Sequence, residues 1–110
     1  MLKKLAKRID KEIRTAEDYV EQAFLIKHKS PSTAELFASF ADEHLVHCEK
    51  LLKEGKRLID TKYAGVASDS VKEADDAWME KCKHIWEWEY RIAMESVVEL
   101  RNKLSMYRNT

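Results

Sequence analysis

The sequence predicts an all-α fold, an antiparallel bundle of three long helices, and three observations carry that prediction. Apolar residues recur at spacings of three and four along most of the 110 residues, the period that gathers side chains on one helical face. Only two glycines and one proline interrupt it, and strand chemistry is scarce. Two breaks, "KSPST" at residues 29–33 and "YAGVASDS" at residues 63–70, cut the pattern into three. The length suits one domain, residues 1–110.

The first helix is expected over about residues 2–29, with Leu2, Leu5, Ile9, Ile13, Ala16, Val20 and Ala23 on one face. Pro31 pushes the residue before it out of the helical region and itself suits a first helical turn. Ser30 is one expected cap for the second helix, and Ser32 with Glu35 as a capping box is the other. So short a connection implies an antiparallel hairpin. The second helix is expected over 31–62, with Ala34, Phe37, Ala41, His44, Cys48, Leu51, Gly55 and Leu58 facing inward. After the longest loop, Ser70 and Glu73 signal the start of a third helix over about 71–107. Trp86, Tyr90, Ala93, Val97, Leu100, Leu104 and Tyr107 form its main stripe, and Trp78, Cys82, Ile85, Glu89, Ile92 and Ser96 a second one beside it. That surface is wide for a helix with two partners, and Trp88 lies on a different face. The sequence therefore predicts a homo-oligomer, a dimer in the simplest case, that completes the bundle.

Charge and cysteine usage narrow the function classes. Twenty basic and 20 acidic residues cancel, which argues against a general nucleic-acid binder, whose affinity rests on neutralising phosphates. Lys3, Lys4, Lys7, Arg8, Lys11 and Arg14 cluster near the start, but Asp10 and Glu12 interrupt them, as on a solvated helix face. Cys48 and Cys82 both fall on expected inward faces, which suits a reducing compartment and a cytoplasmic location; a bridge between them requires the helices to place them opposite each other. The start lacks the apolar core of a signal peptide, and no stretch approaches the roughly 20 apolar residues of a membrane span.

The informative residues are polar ones at positions where the pattern demands apolar side chains. His44 stands between Ala41 and Cys48, with His47 one turn on; Glu89 stands between Ile85 and Ile92; Glu17 flanks the stripe between Ile13 and Val20. Buried ionisable groups are costly unless paired, neutralised or metal-bound. One reading is a metal site of Glu17, His44, His47 and Glu89, since imidazoles and carboxylates bind zinc, iron and manganese; Cys48 would add a soft ligand. The other is a hydrogen-bonded network, such as Glu89 holding His44 or His47, that fixes helix register. A metal-free acid–base pair of Glu89 and His44 is weaker, because no nucleophile elbow, phosphate loop or cysteine–histidine signature accompanies it. His28 and His84 read as surface residues, and Glu87, Arg91 and Glu95 as outer-face ion pairs.

"IDKEIRTAEDYVEQA" followed by "LFASFADEHLVHCEKLL" resembles the first helical hairpin of ferritin-like and rubrerythrin-like proteins, over about residues 9–59. The third helix, "IWEWEYRIAMESVVELRNKLSMYR", is similar to that of short ferritin-like proteins of phages and prophages. The resemblance implies that Glu17 is the first-helix glutamate and His47 the histidine of Glu-x-x-His. His44 stands where that motif has glutamate, Glu89 matches an acidic position of the third helix, and Tyr90 replaces an expected histidine. The chain also spans no fourth helix, which supplies further ligands in full ferritin-like proteins. A bridging carboxylate is lost, so the resemblance implies no cofactor or one Fe, Mn or Zn ion rather than a di-iron centre.

Two function classes follow. The first is a non-catalytic helical interaction protein, such as a phage or mobile-element accessory factor, that oligomerises or sequesters an unidentified protein or small molecule. The second is a ferritin-like metal-binding or oxidative protein with an intrabundle Glu/His site.

Overall fold

The structure, a computed structural model, describes residues 1–64 and 73–110, with side chains described at 1–64 and 77–110. Three helices run in order, α1 (Leu2–Ile26), α2 (Pro31–Lys62) and α3 (Glu73–Asn109), and no strand occurs among the described residues. They pack as a bundle measuring 64 × 21 × 15 Å. Its radius of gyration of 18.2 Å exceeds the about 13 Å of a compact domain this long. Length comes from the helices themselves: 37 residues of α3 at about 1.5 Å each span roughly 55 Å. No helix among the described residues is long and apolar enough to cross a membrane.

Chain breaks fall where backbone chemistry puts them. α1 ends at Ile26, three residues before the expected Lys29, and its last turn closes through Lys29 N–H and Ser30 N–H, both donating to Ile26 O at 3.1 and 2.8 Å. Ser30 is forced to an extended φ of −147° by the following proline, which occupies the first position of α2. The Ser32–Glu35 capping box does not form: Ser30 holds the cap position, its hydroxyl meets Thr33 Oγ1 at 2.8 Å, and Glu35 instead accepts from Arg108. The expected Ser70–Glu73 cap lies outside the described residues.

α1 and α2 form the more intimate pair. Buried side chains of α1 are Leu2, Ile9, Glu12, Ala16, Val20 and Ala23. Those of α2 are Ala34, Ala38, Ala41, Leu45, Cys48, Leu52, Gly55 and Ile59. The small residues let the two backbones approach. Half of the expected α2 register is thus correct, and the other half is one residue off: Phe37, His44, Leu51 and Leu58 flank the seam while Ala38, Leu45, Leu52 and Ile59 fill it. A seven-residue repeat of alanines and leucines beside one of aromatics and histidine offers two plausible phases, and close packing selects the smaller side chains.

α3 adds Val97, Leu100, Leu104 and Tyr107 to this core, as its main stripe predicts. A smaller cluster of Leu2, Ile59 and Tyr63, with Met79, Cys82 and Trp86 against it, closes the other end. The α2–α3 register is written in charge. Glu35, Asp42 and Glu49 recur every seven residues on α2, and Arg101 and Arg108 recur every seven on α3. Arg101 donates to Glu49, with its Nε at 2.9 Å, and lies 3.8 Å from Asp42; Arg108 reaches Asp42 at 2.5 Å and Glu35 at 3.4 Å. Only an antiparallel pairing in this register satisfies every pair. Such half-exposed bridges add little stability each, but a slip of one turn strands them all. At the far end, Lys27 Nζ caps α3 by donating to Tyr107 O at 2.6 Å and Thr110 Oγ1 at 2.5 Å, and sits 4.8 Å from the Tyr107 ring centroid.

Gly55 is the one glycine inside a described helix. A β-carbon there would meet Leu5 Cδ2 at 3.4 Å and Ile9 Cδ1 at 4.0 Å, both ends of flexible side chains bordering a groove of about 150 Å³ between α1 and α3. Gly55→Ala is therefore expected to stabilise the fold by about 0.5–1 kcal/mol through helix propensity. Thermal denaturation should show a midpoint raised by roughly 3–6 °C; a lowered midpoint would mean that Leu5 cannot yield.

Candidate metal centre

One charged side chain is buried among the described residues, and it is not one the sequence singled out. Glu12 is 6% exposed, three residues after Ile9 and four before Ala16, so it shares their face of α1. Across the seam, α2 presents His44 and His47 one turn apart. His44 Nδ1 lies 2.5 Å from Glu12 Oε2, and His47 Nδ1 lies 3.8 Å from the same oxygen. Glu12 is ionised and accepts only, so the proton of this short bond sits on His44 Nδ1. The other carboxylate oxygen, Oε1, faces Arg8 Nε at 3.5 Å.

Aromatic side chains fix the imidazoles. Tyr19 stacks on His44 with ring centroids 5.7 Å apart and planes 18° from parallel, and Phe40 lies 5.3 Å from Tyr19. His47 meets His44 edge-on at 5.8 Å. His44 is half-buried and His47 exposed, so the cluster is closed on its inner side and open to water on its outer one.

Two effects compete at Glu12. Burial raises its pKa, but the hydrogen bond from His44 and the nearby charges of His44, His47 and Arg8 together outweigh it, leaving the carboxyl below its ordinary 4.5. A carboxyl whose folded pKa is depressed contributes stability that is present above the unfolded value and lost as pH falls through the folded one. The stability gap between wild type and Glu12→Gln, followed by urea denaturation, is therefore expected to be full at neutral pH and to close below pH 4.5. A gap that stays constant down to acid unfolding would show that Glu12 gains nothing from its partners.

The ligand atoms of Glu12, His44 and His47 all lie within 4.8 Å of one another. A first-row ion at about 2.1 Å from each donor holds neighbouring donors roughly 3.4 Å apart in a tetrahedron. The 2.5 Å pair must therefore open slightly and the 3.8 Å pair close, both within side-chain rotation. An ion would replace the His44 proton, as metal binding to imidazole requires. Two nitrogens, one carboxylate oxygen and an open outer position match the three-ligand pattern of exposed zinc sites. Arg8 is an unfavourable neighbour, and its largely exposed side chain is free to swing away.

The other expected ligands lie elsewhere. Glu17 is exposed; five residues on from Glu12, it stands about 140° around the helix. Glu89 is exposed on α3 at the rim of the α1–α3 groove, beside Ile13 and Ala93, and not on the α1–α2 seam that carries the histidines. Neither joins the group of three among the described residues. Cys48 is buried, and its thiol is pushed up to about 11 by burial first and by Glu12 and Glu49 second, which disfavours a thiolate ligand. Cys48 and Cys82 are both free. In the ion-paired register Cys48 lies level with Arg101, and Cys82 is 19 residues away along α3, roughly 28 Å, so no bridge joins them. His84 is a surface residue, 3.7 Å from Glu80 and 3.9 Å from Glu87.

No family model, curated protein or solved structure matches the chain.

Proposed function

We propose that this protein binds a single first-row divalent ion between Glu12, His44 and His47, with zinc, iron and manganese as the chemically suited metals. The carrying observation is a buried carboxylate facing two imidazoles across a helix seam, at separations that rotamer changes convert into a coordination shell. A ferritin-like hairpin belongs to this reading, with the first-helix glutamate at Glu12 rather than Glu17. The three donors suffice for one ion. The described residues offer no carboxylate positioned to bridge a second, so the reading is metal binding rather than di-iron oxidation. Two free cysteines suit a reducing, cytoplasmic setting.

The test is elemental analysis after equilibrium dialysis against zinc, manganese or ferrous iron. One ion per chain, lost in Glu12→Gln with helicity unchanged, is the expected result. No bound ion at ligand concentrations near 1 mM, or an ion retained undiminished by Glu12→Gln, would overturn the proposal. A second reading, an interaction protein that oligomerises or sequesters a partner as a phage-type accessory factor would, is favoured by the exposed Trp78 and Trp88.

A further inference from the structure

α3 carries a second apolar seam that no helix covers among the described residues. Trp78, Ile85 and Ile92 recur every seven residues and are 64%, 51% and 42% exposed; Trp88, 58% exposed, lies three residues after Ile85 and four before Ile92. Ile85, Trp88 and Ile92 follow the three-and-four spacing of a coiled-coil seam, Trp78 stands seven residues before Ile85, and Lys81 and Glu95 continue the line seven residues either side of Trp88. The exposed apolar area of these four side chains is roughly 450 Å² per chain, at the scale of patches that mark interfaces.

Two further features select what fits there. A shallow recess opens between Lys81, His84, Ile85 and Trp88, at positions i, i+3, i+4 and i+7. These are the four residues that form the hole for one knob of a facing helix. Charge along the seam changes sign: Lys81 stands near its start and Glu95 and Glu99 at its later end, while Glu89 and Arg91 offset each other on its flanks.

We infer that a second copy of this chain packs on α3 through this seam, antiparallel, about a two-fold axis between Ile85 and Trp88. Trp88 then enters the recess beside the partner's Ile85, and the partner's Trp88 enters the recess beside Ile85. Lys81 lies within one turn of the partner's Glu95 on the seam line, and the opposite charges of the partner's Glu89 and the partner's Arg91 offset each other beside it. A parallel pairing would set Lys81 against the partner's Lys81 and stack the glutamates on each other, so the charge pattern excludes it. Flanking polar side chains extend the contact toward the about 800 Å² per partner of a stable interface. A contact that uses the same patch on both copies closes as a dimer and does not propagate. This inference stands apart from the ion at Glu12, which lies on the α1–α2 seam.

Sedimentation equilibrium of the full chain tests it, with circular dichroism as the folding control. Wild type is expected to be a dimer at micromolar concentration. Trp88→Glu should raise the dimer Kd by at least about 100-fold without loss of helicity, because Trp88 lies outside the core. Lys81→Glu should weaken the dimer about 10-fold, and adding Glu95→Lys should restore it. A monomer at 100 µM, or a dimer that Trp88→Glu leaves intact, overturns the interface. Failure of the charge swap to restore association overturns the antiparallel register.

Discussion

Leu45→Ala is expected to lower the folding free energy by about 3 kcal/mol, a large share of the roughly 5–15 kcal/mol that holds a domain of this size. Leu45 is fully buried and is among the largest such side chains of the described residues. Its core cluster includes Ala16, Ala23, Ala34, Ala38 and Ala41, which have no side-chain atoms to swing into a void. A cavity term therefore adds to the transfer cost of the leucine side chain. Its neighbour Val46 is exposed, and Val46→Ala should change stability by less than about 0.5 kcal/mol. Urea denaturation of the two variants measures the phase of α2 directly. A cost below about 1 kcal/mol for Leu45→Ala would mean that His44, not Leu45, faces the core.

The second large effect concerns the histidines. His44→Ala with His47→Ala removes two of three donors, and zinc affinity is expected to fall by at least about 100-fold, since loss of a supporting outer-shell partner alone costs 10–100-fold. The thermal stabilisation that zinc gives the wild type should vanish with it, because a ligand stabilises only the state that binds it. Glu17→Gln and Glu89→Gln should leave both unchanged. Those two variants separate the sequence-level ligand set from the geometric one. Isothermal titration measures the affinities, and an undiminished double variant would place the ion somewhere else.

Most of the fold was legible in the sequence. Pro31 dictates the hairpin, the interrupted apolar period dictates three helices, and the main stripe of α3 packs as its spacing implies. The candidate site was half legible. His44 and His47 stood out as imidazoles among alanines and leucines, and the structure brings both to Glu12. Glu12 was missed because it sits in a basic run, Arg8-Ile9-Asp10-Lys11-Glu12, where a carboxylate reads as one more solvated charge. The signal was available: Ile9, Glu12 and Ala16 share one face, but Ile13 offered a more apolar continuation and drew the register toward itself. Ile13 in fact borders the α1–α3 groove. α1 has two neighbours, so its buried arc is wide, and a single stripe cannot say which edge of that arc faces which helix. Glu17 flanks the stripe of α1, and Glu89 stands within the second stripe of α3, whose Ile85 and Ile92 are themselves exposed. Neither position is covered by another described helix.

Packing also explains why the ion pairs of α2 and α3 escaped notice. Glu35, Asp42 and Glu49 look like an ordinary outer face until Arg101 and Arg108 arrive from more than 50 residues away. Their common seven-residue repeat becomes meaningful only once the two helices are known to be antiparallel neighbours.

The central claim is that Glu12, His44 and His47 turn toward one point and hold an ion there. Anomalous diffraction at the zinc edge, from crystals grown with zinc, measures it most directly. The account predicts one strong peak per chain at about 2.1 Å from nitrogens of His44 and His47 and from an oxygen of Glu12. A peak at Glu17, Glu89 or His84 instead, or no peak between α1 and α2, would contradict it.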